Sequence, residues 1–323
     1  VNLPRKNVLV FRELPDDQLA RLQAVHDVTV ANPRVAAQAP AFFAALPQAQ
    51  GLIGSSFRID ETVLAQAPLL EVISSISVGV DNYALAALRA RGIVLCNTPG
   101  VLTETTADTI FALVMATSRR LVELALHVRE GHWMRNIGDE LFGWDVHGKT
   151  LGILGFGRIG QALARRAALG FGMPVLYHNR HRVDDPALAG RAMQAPMDEV
   201  LARADIVACV LPLTDATRGL IGAREFAAMK AGAIFVNGSR GAIVQEPALL
   251  EALDSGHLRA AGLDVFAVEP LPLDSPLRMH PRVTALPHVG SATHETRYAM
   301  ARLATGNLLE VLAGGAGAAV VGG

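Results

Sequence analysis

Lys149-Thr150-Leu151-Gly152-Ile153-Leu154-Gly155-Phe156-Gly157-Arg158-Ile159-Gly160 is the stretch that decides the fold. Leu151 to Leu154 is apolar enough for a parallel strand covered on both faces. Gly155, Gly157 and Gly160 have the G-x-G-x-x-G spacing of a dinucleotide turn. The first glycine permits the tight turn, the second lets the backbone approach a pyrophosphate, and the third lets helix and strand pack closely. A helical run, Ile159 to Ala167, follows, and then a second strand, Pro174 to His178. Strand, glycine turn and helix in that order place an anion at a helix N-terminus, where free N–H groups and the dipole favour it.

The same alternation extends to both ends of the chain. Upstream, strands are expected at 7–11, 26–30, 51–54, 71–76 and 93–96. Helices are expected at 15–24, with Leu19 and Leu22 facing inward, and at 39–45, 60–67 and 83–91. Asp60 is suited to cap its helix and Gly92 to close the last one. A long helical stretch, 104–131, then leads to the glycine turn. Beyond it come strands at 205–211, 233–237, 258–265 and 283–285, a helix at 247–255, and a last helix at 295–313. Strand–helix alternation means parallel α/β units.

The expected fold is α/β: two Rossmann-like domains with parallel sheets, a cleft between them, linked by two long helices. The substrate-binding, flavodoxin-like domain is discontinuous, 1–101 plus 291–323, and the dinucleotide-binding domain is 102–290. The glycine-rich tail from Gly314 is expected to be loose.

The 323 residues are 51% hydrophobic and 18% charged, with a formal net charge of −1. That describes a packed globular protein with no basic surface for nucleic acid. The only two cysteines, Cys96 and Cys209, lie in apolar runs and read as buried small hydrophobes. Val1 to Lys6 carries charge with no apolar signal region behind it, and no apolar run is long enough to span a membrane. A cytoplasmic protein with no membrane partner and no metal is expected.

Three ionisable residues follow strands of the nucleotide domain: Arg240, Glu269 and His288. In open α/β sheets ligands bind at the carboxyl ends of strands. A cation, a carboxylate and an imidazole there suit hydride transfer to a carbonyl. The Arg clamps an anionic substrate and polarises its carbonyl, the His gives a proton to the new alkoxide, and the Glu holds the His and favours its charged form.

The cofactor loop points to NADP. An acidic residue normally ends the second strand of an NAD site and binds the ribose. Here the strand ends in His178-Asn179-Arg180-His181-Arg182, with no Asp or Glu between Gly160 and Val183. Arg180, with Arg182, is suited to hold a 2′-phosphate that a carboxylate would repel.

These runs resemble the D-2-hydroxyacid dehydrogenase family. The resemblance rests on Leu263-Asp264-Val265-Phe266 with Glu269-Pro270, on Pro287-His288-Val289-Gly290-Ser291-Ala292-Thr293, on Ser77 to Asn82, and on Thr103 to Thr109. Asp145 to Gly152, Pro212 to Asp215, Asp274 to Leu277 and Gly290 to Arg297 add to it. It extends over nearly the whole chain. It implies a catalytic triad of Arg240, Glu269 and His288, with the Val78 and Gly79 N–H groups on the substrate carboxylate and Arg297 near the substrate. It implies cofactor contacts from Thr105, Gly155, Gly157, Arg158, Ile159, Gly160, Asn179, Arg180, Arg182, Leu211, Pro212, Thr217, Asn237, Ser239, Asp264 and Gly290, with Asp264 on the nicotinamide carboxamide.

The implied activity is NADPH-preferring reduction of small 2-oxo acids, namely glyoxylate, hydroxypyruvate and 2-ketogluconate, to D-2-hydroxy acids. The implied assembly is a homodimer, with Trp133, Phe142 and Trp144 in its interface or packed in a core. Two alternatives share the fold: a phosphoglycerate dehydrogenase, and a nucleotide-sensing corepressor that binds peptides. A formate dehydrogenase would call for Gln rather than Glu beside the His. The side-chain pocket falls to loops such as Ser55-Ser56-Phe57-Arg58. The family's Val-Asn-Pro-like C-terminal strand is replaced here by Gly and Ala, so docking of the tail is not expected from the resemblance.

Overall fold

The computed structural model describes residues 4–321, so the readings of Val1 to Leu3 and of the last two glycines lie outside the described residues. The chain forms two compact units. One runs through Leu102 and resumes at Ala292, and the other is Thr103–Ser291.

In the first unit five short strands, β1 (Asn7–Val10), β2 (Asp27–Val30), β3 (Gly51–Gly54), β4 (Val72–Ser75) and β5 (Val94–Cys96), form one parallel sheet in the order β2-β1-β3-β4-β5. All residues of β3 and β4 are buried, as an apolar strand covered on both faces requires. Asp60 caps the helix Glu61–Ala65 by accepting from Val63 N–H at 3.1 Å. On the helix Asp16–Val25 the buried positions are Gln18 and Leu22, not Leu19. Gln18 can go inside because its amide has partners, donating to Asp17 at 2.7 Å and reaching Tyr298 Oη at 3.4 Å. The last helix, His294–Leu312, packs on β3, β4 and β5.

The tail is not loose. Asn97 N–H donates to the Ala319 carbonyl at 3.0 Å and Val321 N–H to the Leu95 carbonyl at 2.8 Å, with an antiparallel bridge between Cys96 and Val320. Gly317, at φ +78, brings the chain against Val311 and Cys96, where a Cβ would be crowded. The tail thus covers the β5 edge, which would otherwise present unpaired backbone groups.

The second unit holds seven parallel strands: β6 (Leu151–Leu154), β7 (Val175–His178), β8 (Ala192–Gln194), β9 (Ile206–Cys209), β10 (Ala233–Asn237), β11 (Leu258–Leu263) and β12 (Val283–Ala285). Their order is β12-β11-β10-β9-β6-β7-β8. The chain leaves β6 toward β7 and β8, then returns to β9 on its other side. The glycine turn after β6 therefore lies at the topological switch point, where open α/β sheets bind ligands. Register aligns Asn237 with Leu263 and Leu263 with Ala285. The loops carrying Arg240, Glu269 and His288 thus leave one sheet edge side by side.

The long helix expected over 104–131 is broken into Thr103–Ser118 and Leu121–Arg129. Arg120 sits at φ +54 between them. Its guanidinium grips Glu123 at 2.6 and 2.8 Å and reaches the Glu140 carbonyl at 2.5 Å, while Trp144 N–H takes the Ser118 carbonyl at 2.9 Å. These partners replace the helical bonds that continuation would have supplied. Trp133, Phe142 and Trp144 are 62%, 50% and 39% exposed, so none of them is core packing within this chain. Arg259 instead lies over the Trp144 ring, 4.2 Å from its centroid.

The helix Thr103–Ser118 lies on β10, β11 and β12 because Gly238 and Gly262 leave room for it. A Cβ at Gly262 would sit 2.6 Å from Thr117 Oγ1 and 2.8 Å from Leu113 Cγ. Gly262→Val should therefore cost about 1–3 kcal/mol through overpacking, read as a lower denaturant midpoint at unchanged slope. An unchanged midpoint would contradict this packing.

Candidate active site

The glycine turn fits a dinucleotide position by position. Gly155 has φ +97, and a Cβ there would meet the Val210 carbonyl oxygen at 2.8 Å. A Cβ on Gly160 would lie 2.3 Å from the Gly155 oxygen, so only hydrogen permits that close approach. Nothing lies within 4 Å of a Cβ built on Gly157. The middle glycine faces open space, and it caps the helix Arg158–Arg165, whose first N–H groups are free for an anion. The turn is braced from beneath: the Phe156 ring stacks on Tyr177 with centroids 3.7 Å apart and planes at 12°.

At the end of β7 the Asn179 side chain shapes the cofactor loop. Its Oδ1 accepts from Phe156 N–H at 3.3 Å and its Nδ2 donates to the His181 carbonyl at 2.8 Å. Arg180 is exposed. Arg182 is exposed too, but it pairs with Asp184 at 3.0 Å, so its charge is shared. A cavity of about 740 Å³ opens here, with Phe156, Tyr177, Asn179, Arg182 and Gln194 among its walls. Thr217 Oγ1 donates to the Pro212 carbonyl at 2.7 Å and accepts from Thr214 N–H at 2.8 Å, fixing the turn after β9.

The three ionisable residues meet at the ends of β10, β11 and β12. His288 Nδ1 lies 2.7 Å from Glu269 Oε2, and Glu269 Oε1 accepts from Phe266 N–H at 3.0 Å. With Nδ1 held by the carboxylate, Nε2 is the ring nitrogen left to exchange a proton with a ligand. Burial pushes the Glu269 carboxyl up. The hydrogen bonds from His288 and Phe266 N–H, with the charges of His288 and Arg240, outweigh it and hold the group below its ordinary value.

Asn237 shapes the Arg240 loop. Its Oδ1 accepts from Ser239 N–H at 3.1 Å and Ser239 Oγ at 2.6 Å, and its Nδ2 donates to the Arg240 carbonyl at 3.2 Å. Gly241 lets that loop touch the next one: a Cβ would lie 1.8 Å from the Phe266 carbonyl carbon.

Sequence reasoning missed how Asp264 is used. It is 3% exposed, with Oδ1 accepting from Val289 N–H at 2.7 Å and Oδ2 from Gly290 N–H at 2.9 Å. Burial raises its carboxyl pKa above the ordinary value against the pull of those bonds. Both oxygens serve the backbone right after His288, which itself sits at φ +54. The signal available was an acid placed at a strand end inside an otherwise apolar run. Thr109 Oγ1 reaches the Gly290 carbonyl from the helix Thr103–Ser118 at 3.4 Å.

In the first unit the loop after β4 is tied back by Asn97 Nδ2 to the Val78 carbonyl at 2.9 Å and by Thr98 N–H to the Ser77 carbonyl at 3.0 Å. Among the described residues no backbone carbonyl takes the N–H of Val78 or Gly79.

Residues 111–290 match the family described as D-isomer specific 2-hydroxyacid dehydrogenase, NAD binding domain. The chain is 49% identical over 313 residues to glyoxylate/hydroxypyruvate reductase B of Escherichia coli (strain SMS-3-5 / SECEC), covering 96% of each chain. It is 50% identical over the same length to that of Citrobacter koseri, again with 96% of each covered. Among solved structures, a Thermus thermophilus protein superposes with a TM-score of 0.88 at 44% identity, covering 98% of this chain and 99% of the other. The NADPH-dependent glyoxylate/hydroxypyruvate reductase of Sinorhizobium meliloti, in complex with NADP and malonate, gives 0.88 at 31% identity, covering 98% and 97%.

The depressed Glu269 pKa has a pH consequence. The group contributes stability above its unfolded value, about 4.3, and loses it as pH falls through the lower folded value. Unfolding midpoints of wild type and Glu269→Gln should differ at neutral pH and converge as pH falls from about 4.3 through the lower folded value. A gap that persists unchanged into acid would show that the carboxylate charge is not what His288 uses.

Proposed function

The chain belongs to the D-isomer specific 2-hydroxyacid dehydrogenase family, and we propose that within it this chain is an NADPH-preferring reductase of small 2-oxo acids. Glyoxylate and hydroxypyruvate are the first substrates, and 2-ketogluconate a further one. The observation that carries this is the His288–Glu269 hydrogen bond of 2.7 Å beside Arg240, at the strand ends of a glycine-turn nucleotide fold.

The nicotinamide, when bound, supplies the hydride that the carbonyl carbon accepts. His288 Nε2 gives its proton to the carbonyl oxygen, so the carbonyl becomes an alcohol and the imidazole becomes neutral. Glu269 orients the ring through Nδ1, so that Nε2 faces the reacting carbonyl. Arg240 binds the substrate's anionic side and polarises the carbonyl. The N–H groups of Val78 and Gly79 take the substrate carboxylate. Asp264 keeps the His288 loop in place, and its remaining lone pairs suit the carboxamide.

The preference for NADPH is supported by the acid-free end of β7 and by exposed Arg180. A homodimer is supported by the apolar surface on and after the helix Leu121–Arg129, where Leu121, Val122, Leu126, Trp133 and Met134 are all exposed. A cytoplasmic setting is supported by two buried, free cysteines.

His288→Ala should lower kcat with NADPH and glyoxylate by about two to four powers of ten, the range for a general acid, while NADPH binding changes little. Near-normal turnover would remove His288 from the mechanism.

For the cofactor, wild type should favour NADPH over NADH in kcat/KM by about tenfold or more, one charge-assisted contact's worth. Replacing Asn179 with Asp and Arg180 with Ile should reverse the preference, chiefly through KM. The new carboxylate can still accept from Phe156 N–H but loses the donation to His181, so some overall loss is expected. A wild type that prefers NADH, or a double variant with unchanged NADPH KM, would refute the assignment.

A further inference from the structure

The loop after β7 carries two exposed arginines, Arg180 and Arg182. The ion pair of Arg182 with Asp184 lies in solvent, where such pairs hold little. What fixes the loop is its backbone. Three alternate carbonyls are each taken by a side-chain donor. Gln194 Nε2 donates to the Asn179 carbonyl at 2.9 Å, Asn179 Nδ2 to the His181 carbonyl at 2.8 Å, and Tyr177 Oη to the Val183 carbonyl at 3.1 Å. The two arginines stand in the gaps between these anchors.

The three donors differ in what backs them. Tyr177 is buried, with its ring stacked on Phe156. Asn179 belongs to the loop itself, and its contact with Phe156 N–H, at 3.3 Å, is longer than the usual range. Gln194 comes from outside the loop. It is half-buried, ends the edge strand β8, and is the register partner of Tyr177. Register partners present their side chains on one face of the sheet, and both residues line the cavity of about 740 Å³. A carbonyl only accepts, so the Gln194 amide turns its Nε2 toward Asn179.

A glutamine that satisfies a turn carbonyl could serve the fold and nothing else. The carbonyl taken here, however, belongs to the residue directly before Arg180, and Asn179 in turn holds the residue directly before Arg182. Releasing Asn179 therefore loosens both arginines together. The glycine turn at 155–160, which serves any dinucleotide, keeps its own close contacts.

We propose that Gln194 is a positioning residue for cofactor choice: by holding the Asn179 carbonyl it presets the arginine loop for the 2′-phosphate of NADPH. The proposal rests on the NADPH reading of that loop. A preset loop binds more tightly because less ordering is left to the moment of binding.

Gln194→Met tests this, since it keeps the length of the side chain and removes the donor. Two fragments isolate the 2′ position: 2′,5′-ADP carries the phosphate and 5′-AMP lacks it. By calorimetry, wild type should bind 2′,5′-ADP at least about tenfold more tightly than 5′-AMP. In Gln194→Met that ratio should fall about three- to tenfold, one neutral hydrogen bond's worth, with the 5′-AMP Kd little changed. The NADPH to NADH ratio of kcat/KM should fall by a similar factor, through the KM for NADPH with kcat kept. In a background of Arg180→Ala with Arg182→Ala, Gln194→Met should leave the fragment ratio where it stands, because Gln194 acts through those side chains. A merely structural role would weaken both fragments together at constant ratio, which overturns the proposal. An equal drop in the background without the arginines also overturns it. Wild type that binds the two fragments alike refutes the NADPH reading and the proposal with it, whereas a wild-type preference that survives Gln194→Met refutes only the role of Gln194.

Discussion

Asp264 donates no proton in this account, yet the geometry of the site depends on it. At the end of β11, 3% exposed, it accepts from the N–H groups of Val289 and Gly290 and so fixes the backbone that carries His288 at φ +54. A non-glycine residue stays in that region only where its surroundings over-determine it. With the loop fixed, the 2.7 Å contact between His288 and Glu269 follows. The Glu269 carboxylate is set in turn by Phe266 N–H, one turn of loop away. The imidazole is thus located by two carboxylates with different tasks, one holding its backbone and one its ring.

The sheet supplies the rest by register. Asn237, Leu263 and Ala285 form one row across β10, β11 and β12, and the chain needs only a few residues beyond that row to present Arg240, Glu269 and His288. Small residues make the row possible. Gly238 and Gly262 admit the helix Thr103–Ser118, and Gly241 admits the neighbouring loop. In the first unit Arg12 follows β1 and is held by the hydroxyls of Ser55 and Ser56 after β3.

Much of this was legible in the sequence because it was local. Strand runs such as Ala233–Asn237 and the glycine spacing at 155, 157 and 160 are written in consecutive residues. Arg240, Glu269 and His288 stood out as ionisable groups after strands. What sequence could not give depends on partners far along the chain. The helix break at Arg120 is imposed by Glu140, Phe142 and Trp144. The docked tail depends on Leu95 and Asn97. The use of Asp264 depends on a loop 25 residues later.

The most direct measurement is the stereochemistry and stoichiometry of hydroxypyruvate reduction by the wild-type protein with NADPH. The account requires one D-glycerate formed for each NADPH oxidised, because one fixed imidazole protonates the carbonyl oxygen while the hydride arrives on one face. Formation of L-glycerate, a racemic product, or no NADPH oxidation with hydroxypyruvate would contradict it.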